Sequence, residues 1–400
     1  MKVLLCHNYY QQPGGEDRSF AAEADLFESR GHEVVRFTLH NDAINRMQHR
    51  EVAWKTVWNR DVYKRIQAVI RRERPSVMHC INTFPLISPA CYYAARREGV
   101  AVVQSLRNYR LLCPGATCLR QGRICEDCVS KPFAWPAVRH GCYRHSRAGS
   151  AVVATMLTFH RWRRTWSHAV NVYYALTHFS RDRFIAGGLP ADKVVVKPNF
   201  LSADPGLGTG TGGYALFVGR LSHEKGVDTL LSAWARMASP CPLKIVGDGP
   251  LADRVRAAAS SDSRITWLGY REPSEVSDLM GHAACLVVSS IWYEGFPRTM
   301  LEAFARGTPV IGAKLGSIGE IIAHNQTGFH FNPGDPRDLA AKVQQLMMNR
   351  SQRKRMRREA RRAFERTYTA DVNYTLTRSL YERAIGAATG RRPSAPPGHE

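Results

Sequence analysis

Short apolar runs alternate along this chain with stretches whose apolar positions return at helical spacing. Runs at residues 2–6, 33–37, 77–80 and 100–104 have the length of buried strands, and helical periodicity separates each from the next. A second set lies at 194–197, 214–218, 265–268 and 285–288. After the last of these, Met300, Leu301, Phe304 and Ala305 repeat at a helical period and Gly307 supplies the stop. Such alternation predicts parallel sheets covered by helices on both faces. A chain of 400 residues is long for one such core, so the expected fold is α/β with two Rossmann-like doubly wound domains.

Candidate chemistry gathers where expected strands run into loops, the place where open α/β sheets bind ligands. The strand at 214–218 enters Gly219-Arg220-Leu221-Ser222-His223-Glu224-Lys225-Gly226 and then a helix from Val227, which makes an anion cradle. Arg220 can fork two donors onto phosphate oxygens, and Lys225 adds a mobile point charge. The strand at 285–288 enters Glu294-Gly295-Phe296-Pro297-Arg298-Thr299-Met300-Leu301-Glu302. That loop opens at a helix N-terminus, whose free N–H groups and dipole suit a diphosphate. Pro297 fits as an early helical residue. Glu302, about one and a half turns in, can accept from two vicinal hydroxyls. Taken alone, these glutamates read equally well as solvated charges, and the first loop as an ordinary basic loop. Gly14 and Gly15, after the first strand, permit close backbone approach or form an ordinary tight turn.

Gly219-Arg220 to Lys225-Gly226, then Val246-Gly247-Asp248-Gly249-Pro250, then glutamates with seven residues between them, resemble in order and spacing the retaining glycosyltransferases of family 4. The resemblance implies a GT-B fold, with two domains facing each other across a cleft. It implies a nucleotide-sugar donor of the UDP- or GDP-hexose kind, a glycan or lipid-linked glycan acceptor, and no metal in catalysis. Catalytic roles fall to Glu294, Arg220 and Lys225: the basic pair neutralises the leaving diphosphate, and Glu294 orients the transferred sugar. Donor binding falls to these cations with Gly295, Phe296, Pro297, Arg298 and Thr299 through their backbone, to Glu302 at the ribose, to Gly269 and Tyr270 near the base, and to Gly14 and Gly15 from the other domain. No residue is named as a covalent nucleophile. The pattern is departed from at Arg107 and Ile81, where histidines are expected. An arginine cannot shuttle a proton near neutral pH. Arg107 and Asn82 remain as acceptor-side candidates.

The expected partition is residues 1–200 for the first domain, with a Cys-rich insertion at about 108–145, and 214–368 for the second. Residues 201–213, rich in Gly, Thr and Pro, read as a flexible linker without a core. A helix over 369–388 is expected to cross back to the first domain, and 389–400 to be a disordered tail. The first strand, ended by polar His7 and Asn8, is not a signal peptide. No run reaches the roughly 18 apolar residues of a membrane span, so a cytoplasmic protein is expected.

Composition adds two complications. With 56 basic and 34 acidic residues the net charge is +22, a field that favours polyanions. No nucleic-acid module accompanies it, so no nucleic-acid partner is expected. The apolar run Ala151 to Phe159, flanked by Arg144, Arg147 and Arg161 to Arg164 and followed by Trp162 and Trp166, has the composition of a helix on an anionic membrane surface; a core helix with basic ends is the other reading. Five of ten cysteines, Cys113, Cys118, Cys125, Cys128 and Cys142, lie together. Cys125 and Cys128 have the spacing of half a structural zinc site, which the others are available to complete; a loop of thiols without metal is the alternative. Two further classes stay open: a sugar-nucleotide epimerase of the same fold, and a non-catalytic binder of polyanions.

Overall fold

The computed structural model describes residues 1–12 and 14–390, so positions 391–400 of the expected tail lie outside the described residues. The chain forms two compact units. The first takes Met1–Ala116, Glu126–Lys197 and the chain from Asn373 onward; the second takes Thr117–Cys125 and Pro198–Val372.

In the first unit strands β1 (Lys2–Tyr9), β2 (Glu33–His40), β3 (Val77–Asn82) and β4 (Ala101–Leu106) come first. A short antiparallel hairpin, β5 (Leu119–Arg120) with β6 (Arg123–Ile124), leaves to join the second unit, after which β7 (Val172–Ala175) and β8 (Val194–Val196) complete the first sheet. The sheet is parallel throughout, in the order β2-β1-β3-β4-β7-β8. β3 and β4 are buried along their whole length, which explains runs of apolar residues without alternation.

β1 is longer than its apolar run. His7 and Asn8, expected to end it, continue the strand to Tyr9 and are fully buried. Each is buried because it is paired. His7 Nε2 lies 2.7 Å from Asp17 Oδ1, and Asn8 Nδ2 donates to Asn41 Oδ1 over 2.7 Å.

The second unit contains β9 (Ala215–Val218), β10 (Leu243–Val246), β11 (Ile265–Gly269), β12 (Cys285–Val288), β13 (Val310–Ala313) and β14 (Gly328–Phe331). Their order, β11-β10-β9-β12-β13-β14, reverses direction between β9 and β12. A ligand crevice opens where the order reverses. The first sheet has its own reversal between β1 and β3.

The segment expected to be a flexible linker is a fixed strap on the second unit. Gly208, Gly210 and Gly212 donate backbone hydrogen bonds to Arg306, Gly281 and His282. Their lack of a side chain serves close approach rather than mobility: a Cβ on Gly208 would sit 2.2 Å from the Gly281 carbonyl oxygen. Composition alone does not distinguish these two uses of glycine.

The last helix, Ala370–Ala388, belongs to the first unit from Asn373 on. Tyr381, buried, hydrogen-bonds His79 Nδ1 at 2.8 Å. The helix Arg147–Trp162 is a core element, since Val153, Ala154, Met156 and Leu157 are buried. Its apolar face is spent on packing, while Trp162 is exposed.

Candidate active site

In the second unit, the loops that leave β9 and β12 flank the reversal in strand order and are sewn to each other. Ile291 N donates to the Glu224 carbonyl over 2.9 Å, and Ser289 Oγ donates to the Lys225 carbonyl over 2.9 Å. Gly226, at φ +69°, is required here, because an added Cβ would lie 1.9 Å from the Ser289 carbonyl oxygen. The loop after β10 packs as closely. A Cβ on Gly247 would meet the Gly219 carbonyl oxygen at 1.9 Å, and Leu221 N donates to the Asp248 carbonyl over 2.9 Å. The glycines of both motifs thus let three loop backbones stack at one end of the sheet.

Charged groups sit on this frame. Lys225 Nζ donates to Glu294 Oε1 over 2.7 Å, and Ser290 Oγ donates to the same oxygen over 2.7 Å. Glu294 is 6% exposed. Burial pushes its carboxyl upward, but the Lys225 ammonium and the hydrogen bonds from Lys225 and Ser290 outweigh it, so it titrates below the usual carboxylate range. The Glu294 carboxyl is therefore ionised at neutral pH, and Lys225 is held by it with Nζ 5.7 Å from the centre of the Trp292 ring. Arg220, by contrast, is exposed, and its guanidinium makes no ion pair among the described residues.

The helix Arg298–Ala305 begins beside them. Pro297 is its N-cap, one position before the helix rather than inside it. Pro297 makes no side-chain cap hydrogen bond, and the start of a helix is electrostatically suited to an anion. Gly307, at φ +66°, closes the helix. Arg298, Thr299 and Glu302 are half-buried, and Glu302 lies on the second turn. Phe296 is turned inward, 8% exposed, with its ring 5.8 Å from that of Tyr368, so only its backbone faces the loop. Gly269, at φ +69°, accepts through its carbonyl from Gly247 N and sets Tyr270 in the open, 62% exposed, beside these loops. The structure therefore joins Lys225 to Glu294 directly and places Arg220, Gly269, Tyr270 and Glu294 to Pro297, with the helix that carries Arg298, Thr299 and Glu302, after strands β9, β11 and β12 at one end of the sheet.

Two contributors were not legible in sequence. Ser290 aims Glu294, and the hairpin β5–β6 brings Gly122 against the His223 ring, where a Cβ would meet Nε2 at 3.0 Å. A serine pair after a buried strand is a weak signal, and the hairpin is separated from His223 by the whole Glu126–Lys197 segment of the first unit.

In the first unit, Gly14 caps the helix Gly15–Ser29 and its N–H donates to Asp17 Oδ2 over 2.7 Å. Neither glycine is demanded by the fold: φ at Gly14 is −131°, a Cβ there would come no nearer than 3.9 Å to another atom, and one on Gly15 would meet nothing within 4 Å. Space at this helix N-terminus is kept open without a packing reason.

The acceptor-side candidates are engaged internally. Arg107 is 8% exposed; Nη2 donates to Glu23 Oε1 over 2.6 Å and to the Tyr174 hydroxyl over 3.2 Å. Lys197 Nζ reaches the same carboxylate oxygen at 3.1 Å, and His79 lies 3.6 Å from the other. Arg107 is thus a member of a buried charge cluster, and with Asn82 and Ile81 it also lines a pocket of the first unit. Asn82 Nδ2 donates to the Asn8 carbonyl over 2.7 Å while Oδ1 accepts from Phe84 N, so it shapes the turn after β3. Ile81 is core.

The five clustered cysteines divide between the units, with Cys118 and Cys125 in the second. Among the described residues no group of three or more His, Cys, Asp or Glu side chains is placed to hold a metal ion.

Comparison with known proteins agrees with this geometry. Residues 207–363 match the family Glycosyl transferases group 1. Glycogen synthase of Mycobacterium tuberculosis is 32% identical over 187 residues, 45% of this chain and 44% of that protein. Lipopolysaccharide 1,6-galactosyltransferase of Escherichia coli is 33% identical over 129 residues, 30% of this chain and 35% of that protein. The chain spans less than half the length of these relatives. Among solved structures, Anabaena HepE in complex with UDP aligns with a TM-score of 0.66 at 18% identity, over 95% of this chain and 99% of that one. Sucrose-phosphate synthase from Thermosynechococcus elongatus aligns with a TM-score of 0.72 at 15% identity, over 96% and 99%. The fold is that of the GT-B glycosyltransferases, built from two Rossmann-like domains.

Proposed function

We propose that this protein is a glycosyltransferase that moves a hexose from a nucleotide diphosphate sugar, UDP-linked in the first instance, to a glycan or lipid-linked glycan, with retention of configuration and without a catalytic metal. The observation that carries this reading is the Lys225–Glu294 pair, held between the loops that leave β9 and β12 at the strand-order reversal of the second sheet, with exposed Arg220 on the first loop and a helix N-terminus following the second. In it, Arg220, Lys225 and the helix N-terminus stabilise charge as it develops on the departing diphosphate. Fixing these dipoles and cations before the reaction is what gives them catalytic value. Glu302 holds the ribose hydroxyls, Tyr270 lies by the base, and Glu294, held ionised by Lys225 and Ser290, orients the sugar. The UDP complex of HepE and the sugar-transfer activities named for the relatives support this reading.

Acceptor delivery from an anionic membrane surface belongs to the same proposal. Packed helices His49–Val57, Trp135–His140 and Arg147–Trp162 of the first unit expose Trp54, Trp135 and Trp162, the amphipathic residues that favour such an interface.

The test is a thermal-shift series with UDP, GDP, ADP and their common sugar conjugates. At about one hundred times its dissociation constant the right nucleotide adds roughly 2.7 kcal/mol of stability. UDP is expected to shift the wild type and to lose most of that shift in Glu302→Ala and in Arg220→Ala. No shift with any nucleotide would sink the reading, and release of free sugar without an acceptor would move it to the epimerase class.

A further inference from the structure

The strap that carries Leu207 to Gly213 runs beside the helix Arg350–Thr367, and between them lies a groove lined by Arg350, Arg353, Lys354, Arg357, Arg358 and Arg362. The strap immediately precedes β9 and is bonded to residues that precede β12 and β13, so the groove is at the N-terminal end of the sheet. The donor loops leave the opposite, C-terminal end. This is a second, separate concentration of positive charge.

Its floor is built rather than incidental. Arg357 is 9% exposed and its Nη2 donates to the carbonyls of Gly208 and Arg306, while Nη1 has no hydrogen-bonding partner among the described residues. Gly210, at φ +64°, makes room for it, since a Cβ there would lie 2.3 Å from that same Nη1. Burial, together with Arg353 and Arg306 nearby, lowers the pKa of this guanidinium, the mark of positive charge without local compensation. Some lining charges are neutralised, Arg361 by Asp204 and Glu365 and Arg362 by Glu359. Among the described residues Arg350, Lys354 and Arg358 have no acidic partner, and no carboxylate lines the groove.

We propose that this groove is a binding site for clustered phosphate groups, with Arg357 Nη1 as the innermost donor and Lys354 and Arg358 closing over the ligand. Guanidinium forks match phosphate oxygens two at a time, and an unpaired buried donor gains most from an anion. The lining has no aromatic side chain on which a nucleobase would stack, which disfavours single-stranded nucleic acid. The same phosphate chemistry is available from a soluble polyphosphate and from anionic lipid headgroups, with exposed Leu207 at the rim suited to the latter.

The experiment uses the full chain carrying Arg220→Ala and Lys225→Ala, so that donor-loop cations cannot account for binding and the outcome does not depend on the proposed activity. Tripolyphosphate is titrated by calorimetry at about 0.15 M salt, where loose surface attraction is screened beyond roughly 8 Å. In parallel, sedimentation is measured with phosphatidylglycerol and with phosphatidylcholine vesicles. Saturable tripolyphosphate binding, weakened about tenfold or more by adding Lys354→Ala and Arg358→Ala, supports the site with a soluble ligand. Sedimentation with the anionic vesicles alone, lost in the same variant, supports it with a lipid source. Both changed residues are exposed, and an unaltered far-ultraviolet spectrum checks the fold. Absence of binding in both arms, or binding that the Lys354 and Arg358 changes leave intact, overturns the proposal, as does capture of single-stranded RNA that tripolyphosphate fails to displace.

Discussion

Glycines divide into two populations by what a Cβ would meet. Gly226 has a left-handed backbone and a carbonyl oxygen 1.9 Å from the Cβ position, whereas Gly15 has open space and sits at the first position of a helix. Gly226→Ala is therefore expected to unfold or strongly destabilise the second unit, by several kcal/mol. Gly15→Ala should change stability by less than about 1 kcal/mol, since alanine favours a helix, yet depress sugar transfer if the diphosphate approaches this backbone. Paired thermal melts and initial rates check both; a Gly15→Ala enzyme with wild-type rates would remove Gly15 from the site. Charged residues divide in the same manner. Arg107 and Lys225 are both basic and each meets a glutamate, but Arg107 is buried with Glu23 while Lys225 is partly exposed. Sequence supplied the residue types and not the burial, so the ion pair between Arg107 and Glu23 was not legible in it.

At the scale of elements, the strap at 207–213 does the work of a strand without being one. It ties the residues preceding β12 and β13 together through three backbone hydrogen bonds, and Arg357 fastens it to the helix Arg350–Thr367 through the Gly208 carbonyl. Gly208→Ala is expected to lower the melting temperature by several degrees, because roughly 1 kcal/mol corresponds to about 2–4 °C in a domain of this size. A true linker would tolerate the change, so an unaltered melt would contradict the packed strap. Strand positions were largely legible, since unbroken apolar runs reflect burial on both faces. Strand ends were less so. β1 outlasts its apolar run because His7 and Asn8 find partners from Asp17 and Asn41, residues distant from them in sequence.

Across the whole molecule, stability should depend on pH through buried groups of the first unit. Burial lowers the pKa of His79 to about 4, with Lys197 and Arg107 acting in the same direction against Glu23. Burial likewise lowers His160 to about 4, held by Val57 and Thr165. Burial raises Glu23, but Lys197, His79 and Arg107 together lower it to about 2. Folded histidines with depressed pKa values stay neutral while the unfolded chain takes up protons first. Their contribution is thus complete above roughly pH 6.5 and is lost as pH falls toward 4, by up to about 1.4 kcal/mol per pH unit for each. Glu23 extends the loss below that range. Melts recorded from pH 7 to 4 should fall in this sense, and His160→Gln should reduce the slope; a profile flat to pH 4 would mean that these rings are charged in the fold.

By itself the sequence marked many of the sheet strands, the two parallel sheets and the loops that carry the candidate donor residues, because burial leaves its mark in apolar runs and close backbone approach leaves its mark in glycine. Arg220, Lys225, Glu294 and Glu302 were legible as a set because two βα loops carry them at fixed spacing. Tertiary structure alone decided which charges are spent internally and which remain for a ligand. That depends on partners far apart in the chain: Glu23 with Arg107 and Lys197, and the glycine strap with Arg357. A charge is available or consumed according to its neighbours in space, and those neighbours exist only once the sheets have formed.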